Sequence, residues 1–258
     1  MVLVIAGTSV AVQMDEAIAF FLAPLQDFFH GFLEHGGRET IHVAISYNHL
    51  TALRKFSASP TRLSWQNDRK TPEILNHVER SYPFSGQPVL IGFLNGVLAY
   101  NAHSRKGQIY LFRSKGKNYI LGSLHKLLFL FLAIVMAEQN KLLIHGAGIR
   151  IKSEGCLFLG ASGAGKSTVA GFADRDQVLA DDAPVIAQEG GSFKIHASPY
   201  SQVHLFENKA ADRHRNEAFL TKLIFLNQAN HTDLKSRDKR SAMAELLREH
   251  IHGFDIMD

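Results

Sequence analysis

The 258-residue chain has a single cysteine, Cys156, so it can form no intrachain disulfide and no multi-cysteine metal centre. That cysteine sits in the apolar run CLFLG, where it reads as a buried, inert thiol. This usage favours a reducing, cytoplasmic setting. No internal repeat or low-complexity linker interrupts the chain. The opening, MVLVIAGTSVAVQMDE, lacks the basic leader of a signal peptide and alternates like a strand. The longest apolar run, Leu127 to Ala137, falls short of the roughly 20 residues that span a bilayer. It reads as a buried helix, and no membrane partner is expected. The net charge of +4 suits an anionic ligand but is too small to argue for nucleic acid. No G-x-S-x-G elbow is present, which speaks against an α/β-hydrolase.

What is present reads as an α/β chain in two parts: an α+β N-terminal domain over 1–138 and a phosphate-binding domain over 139–258. In IHVAISY, Ile41, Val43, Ile45 and Tyr47 share one face, as in a half-buried strand. Thr71-Pro72 predicts a helix start running to Arg80. Asn95-Gly96, between two apolar runs, predicts a two-residue hairpin turn, with QIYLFR as the next strand. A helix over 121–139 then leads into LLIHGAGIRIKSEGCLFLG, whose two apolar stretches flank the polar turn Lys152 to Gly155. They predict an antiparallel pair, and therefore a mixed sheet rather than the parallel sheet of a Rossmann-like domain. Gly36-Gly37 and Gly190-Gly191 read as turns. His196, His204, His250 and His252 lack a neighbouring acid or cysteine at zinc spacing and read as surface residues.

The strand CLFLG runs into GASGAGKST. Gly160, Gly165, Lys166 and Ser167 satisfy G-x-x-x-x-G-K-[ST] between a strand and a helix. The cradle comprises Gly160, Ala161, Ser162, Gly163, Ala164, Gly165, Lys166, Ser167 and Thr168. Its glycines let successive N–H groups aim inward as a nest for phosphate oxygens, and the next helix start adds partial positive charge. Lys166 would reach the terminal phosphates of ATP, and the Ser167 hydroxyl would help ligate Mg²⁺.

Phosphoryl transfer to a hydroxyl also needs a metal-holding carboxylate and a group that accepts the hydroxyl proton. The later strand KLIFLNQ ends in Asn227 and Gln228 and supplies no acid. Asp181 and Asp182, closing VLA soon after the loop, do. Two neighbouring carboxylates repel, so one bound to Mg²⁺ leaves the other to act as a base. The bland alternative is that the pair caps the turn into Pro184. His145, on the hairpin partner of the loop strand, would return near the phosphates, or else serve structure alone.

The segment from Leu142 to Ile186 resembles the catalytic domain of HPr kinase/phosphorylase and its relatives. It has an upstream histidine, a glycine loop ending in Lys-Ser, and a paired-aspartate strand close behind. The resemblance implies a fold similar to the nucleotide-binding core of phosphoenolpyruvate carboxykinase, with His145 and Asp181 catalytic and Asp182 and Ser167 as metal ligands. It adds Glu207 as a further metal contact and a homo-oligomeric state. Ala161 stands where the bifunctional enzymes carry an acid, and their E-x-R-G-x-G-I segment is absent, so HPr as substrate and dephosphorylation are in doubt. The expectation is an ATP- and Mg²⁺-dependent kinase acting on a serine of a protein or small peptide. A nucleotide sensor without catalysis and a small-molecule kinase are the alternatives.

Overall fold

Alternating apolar residues carry the N-terminal half into strands. The computed structural model describes residues 1–34, 41–51, 61–63, 78, 88–113, 117–200, 216–231 and 233–251. Its opening is a hairpin of β1 (Val2–Ile5) and β2 (Thr8–Met14). Ala6 and Gly7 make the turn at φ 49° and 70°. After α1 (Leu22–Phe28) come β3 (Leu33–Glu34) and β4 (Ile41–Thr51), in which Ile41, Val43 and Ile45 are buried as their alternation predicts. β5 (Thr61–Leu63), β6 (Val89–Phe93), β7 (Gly96–Asn101) and β8 (Lys106–Arg113) complete an eight-stranded sheet ordered β3-β1-β2-β4-β8-β7-β6-β5. β4 runs parallel to β2 and to β8. The helix expected over 71–80 lies outside the described residues except for Val78, which is helical and buried.

The hairpin turn is shifted by one residue from the Asn95-Gly96 reading. Phe93 pairs with Gly96, so Leu94 and Asn95 form the turn, with Leu94 at φ 47°. Gly96 serves packing instead. A Cβ there would lie 2.5 Å from Leu127 Cδ1 and 3.1 Å from the Tyr110 carbonyl oxygen.

Leu127 belongs to α2 (Lys117–Glu138), a helix that packs on β6, β7 and β8 of the first sheet and on β9 (Lys141–Leu143) of the second. Its Tyr119–Glu138 stretch is long and apolar enough to cross a bilayer by length and composition, but 72% of its most apolar window is buried inside the fold. A core helix between two sheets has the same composition, because it meets apolar neighbours all round.

The second sheet adds β10 (Ala147–Ile151), β11 (Glu154–Leu159), β12 (Val178–Ala180), β13 (Val185–Glu189), β14 (Ser192–His196) and β15 (Glu217–Phe225). Their order is β12-β10-β11-β15-β14-β13-β9. β11 and β15 are parallel, while β10 and β11 form the antiparallel pair expected from the sequence. The protein is thus α/β with mixed sheets. Gly190 and Gly191, at φ 56° and 81°, make the β13–β14 turn. One continuous apolar core joins Leu3, Val43 and Leu111 of the first sheet, through Leu128 and Phe131 of α2, to Leu157, Val185 and Ile195 of the second. Polar ties reinforce it: Lys141 Nζ donates to the Ala6 carbonyl at 2.6 Å and to Thr8 Oγ1 at 2.9 Å.

Candidate functional site

The glycine loop leaves the buried end of β11. Gly160 takes φ +154°, and a Cβ there would fall 2.7 Å from the Leu226 carbonyl oxygen and 2.8 Å from Ala164 Cβ. Leu226 N donates to the Leu159 carbonyl at 2.7 Å, extending the parallel pairing one step past β15. Gly163 and Gly165, at φ 83° and 105°, face open space, so their need for glycine is conformational. Ala164 N closes a turn onto the Ala161 carbonyl at 3.0 Å. Gln228 Nε2 reaches back to the Gly163 carbonyl at 2.8 Å, so the end of KLIFLNQ braces the loop although it brings no acid.

Lys166 opens α3 (Lys166–Phe172), whose seven residues give little macrodipole. Charge at the loop therefore rests on Lys166 itself. Its Nζ donates to the carbonyls of Gly160 at 2.7 Å and Ala161 at 3.1 Å. Burial lowers its pKa, and the negative charge of Asp182 opposes that shift. Ala161, Ser162, Gly163, Ser167 and Thr168 are exposed, and Ala164 and Gly165 half-buried, so the cradle is open to a ligand.

The paired aspartates follow β12 and have different surroundings. Asp181 is buried at 2% exposure, whereas the Asp182 side chain is 37% exposed. Asp182 Oδ1 lies 3.3 Å from His145 Nδ1, and the Asp182 carbonyl accepts from Gly146 N at 3.0 Å. The glycines of LLIHGAG allow this approach. A Cβ on Gly146 would meet the Phe158 carbonyl oxygen at 2.8 Å, and one on Gly148 would meet Ile195 at 2.9 Å and Pro184 at 3.1 Å. The structure thus pairs His145 with Asp182, whose negative charge acts on Lys166, and it buries Asp181. Glu207 lies outside the described residues.

Lys126 of α2 also feels the Asp182 charge and was not singled out by sequence. Its pKa is lowered by burial and raised by the Asp182 charge, and its Nζ lies 4.8 Å over the Phe129 ring. Phe129 packs edge-on against Tyr200 at 4.6 Å, and the Tyr200 carbonyl accepts from Ala183 N, next to Asp182. No local pattern announces Lys126, because it is a single cation within an apolar helix.

Two histidines read as surface residues are buried. His196 is 4% and His250 1% exposed; His204 and His252 lie outside the described residues. The β13–β14–β15 pairing carries His196 to two acids distant in sequence. Its Nε2 lies 3.0 Å from Glu189 Oε1, without a well-directed hydrogen bond, and its Nδ1 lies 3.4 Å from Glu217 Oε2. These three side chains could hold a cation, but the Lys194 ammonium occupies that role. It sits 3.1 Å from Glu189 and in short contact with Glu217. A separate groove of about 540 Å³, lined by Met1, Val12, Met14 and His42 among others, belongs to the first sheet and includes none of the loop, aspartate or His145 residues.

The family model described as SynChlorMet cassette protein ScmC matches residues 113–252, more than half of the chain. The chain belongs to the ScmC family. That match runs from the end of β8 through α2, the glycine loop, the paired aspartates and His250. No curated protein matches the sequence. The family finding overturns the resemblance to HPr kinase/phosphorylase. The segments that carried it were short, each set by the demands of one kind of chemistry, and such stretches do not fix descent. For the ScmC family, what can be said of His145, Asp181, Asp182 and Ser167 rests on the geometry of this chain.

Proposed function

We propose that this ScmC-family protein is a phosphate-loop kinase that transfers the γ-phosphoryl of ATP, with Mg²⁺, to a serine hydroxyl of a protein or small peptide. One observation carries the reading: a half-exposed aspartate–histidine pair, Asp182 and His145, whose carboxylate charge acts on Lys166 of the open glycine loop. A base oriented by a second group is the arrangement that activates a hydroxyl. The description of the family as a cassette protein accords with a protein that works beside others.

The donor set suits the hard cation: the exposed Ser167 hydroxyl and the Asp182 carboxylate oxygen turned away from His145 would be its oxygen ligands. Mg²⁺, when bound, offsets charge on the transferring phosphoryl group. The loop amides and Lys166 hold and neutralise the phosphate oxygens. As the serine oxygen bonds to Pγ and the bond from Pγ to the β,γ-bridging oxygen breaks, the serine proton passes to His145, which Asp182 orients. Exposure favours Asp182 over Asp181 for this work, whereas the resemblance implied Asp181 as the catalytic carboxylate.

The test uses the full chain, labelled ATP, Mg²⁺ and a library of serine peptides, with nucleotide affinity measured by calorimetry. Asp182→Asn and His145→Gln are expected to keep nucleotide binding and lose transfer by about 100-fold or more. Nucleotide binding without transfer to any peptide would support the sensor reading, and transfer to metabolites alone would support a small-molecule kinase. No nucleotide binding would end all three.

A further inference from the structure

Resting on the kinase reading, we propose that His250 is a positioning residue for His145 and that the C-terminal segment is part of the active site. His145 lies between β9 and β10 and needs partners for its main-chain N–H and carbonyl. One residue far along the sequence supplies both. His145 N donates to the His250 carbonyl at 2.6 Å, and the His250 ring Nδ1 lies 2.9 Å from the His145 carbonyl oxygen. A carbonyl oxygen only accepts, so that ring nitrogen carries the proton, which fixes the His250 tautomer. Gripped on both sides, the His145 backbone has little freedom, and its side chain keeps its direction toward Asp182.

The surrounding segment is anchored at the same place. α4 (Lys239–Glu245) begins at Asp238, whose carboxylate accepts from Arg240 N and Ser241 N, and ends in a π-turn over Leu246–His250. Ile251 then forms an antiparallel bridge with Ile144, the residue before His145. The two imidazoles lie stacked at 6.3 Å with an 11° interplanar angle. His250 also meets the edge of Phe225, and the Arg237 guanidinium lies 4.7 Å over that ring. Phe225 ends β15 and directly precedes Leu226, the residue that braces Gly160. One returning segment therefore contacts the histidine on one side and the loop's support on the other. Burial of a polar ring at 1% exposure is costly unless it is hydrogen-bonded, and the His250 ring spends its Nδ1 on the main chain of His145.

The test compares His250→Phe, which fills the volume without the donor, with His250→Asn, whose amide N–H can stand in for Nδ1–H. His250→Phe is expected to lower kcat by about 10–100-fold with the KM for ATP unchanged, and His250→Asn to recover most of the loss. Equal loss in both variants, a change confined to KM, or wild-type kcat in His250→Phe would overturn the proposal. A second measurement is independent of activity. Ring ¹⁵N spectra of the full chain should show the Nδ1–H tautomer at His250, with the His145 ring signals moving in His250→Phe but not in His250→Asn. An Nε2–H tautomer at His250 would overturn the clamp even if the enzyme is active. Wild-type protein with the expected spectra but no phosphoryl transfer would leave the clamp standing and remove the kinase reading beneath it.

Discussion

Replacing Gly160 by alanine tests whether the mouth of the loop is as tight as its geometry says. The added Cβ would sit 2.7 Å from a backbone carbonyl oxygen and 2.8 Å from Ala164 Cβ. Neither neighbour is the far end of a flexible side chain, so relief requires moving the loop or the end of β15. Overpacking of this kind costs typically 1–3 kcal/mol, and with rigid neighbours the upper end applies, about 3 kcal/mol. For a chain of this size that corresponds to a fall of about 6–12 °C in melting temperature. Gly163→Ala is the internal control. Its φ is +83° but nothing lies within 4 Å, so only backbone strain of about 1–2 kcal/mol is expected. Thermal unfolding of both proteins without ligand, followed by calorimetric titration with ATP and Mg²⁺, decides the matter. Gly160→Ala should melt below Gly163→Ala and bind nucleotide more weakly than wild type. The reverse order of melting would refute the argument from close approach.

Three further outcomes follow from named contacts. Lys166→Met removes a charge-assisted donor worth about 1.5–3 kcal/mol, so nucleotide affinity should fall about 10–100-fold in a titration. Gly146→Ala would push its Cβ against the Phe158 carbonyl at 2.8 Å and displace the neighbouring His145; transfer assays should show a larger loss in kcat than in ATP affinity. Burial lowers the His196 pKa below its ordinary 6.5, against the pull of Glu189 and Glu217. The unfolded chain therefore binds the extra proton first, so the stability tied to neutral His196 is complete above 6.5 and declines as pH falls below it. Glu189, with a lowered pKa, contributes its own acid loss only below 4.5. Melting between about pH 7 and pH 5 should thus fall more steeply in wild type than in His196→Gln.

Much of the fold was legible because its strands are bounded by strong local signals. The β10–β11 hairpin followed from two apolar stretches around a polar turn, and it correctly implied a mixed sheet. The β6–β7 turn was placed one residue late because Asn-Gly is the stronger turn dipeptide. In the structure Gly96 pairs with Phe93 instead, at a position that Leu127 of α2 closes to any side chain.

The proposed site divides along the same line. Loop, lysine and aspartates could be named because the proposed phosphate chemistry calls for such residues close together in sequence. Their separation into a buried Asp181 and a half-exposed Asp182 could not, since adjacent residues differ in exposure only through what packs on them. His250 and Lys126 were invisible for a related reason. Each reaches the site from an element more than fifty residues from Asp182, one through a π-turn and the other from a core helix. His196 is the instructive contrast, equally buried and equally hidden, yet its two acids are already neutralised by Lys194. Burial of a histidine is therefore not by itself a sign of chemistry. The distinguishing feature of His250 is that it contacts His145, whose other partner is the half-exposed Asp182 beside the loop lysine.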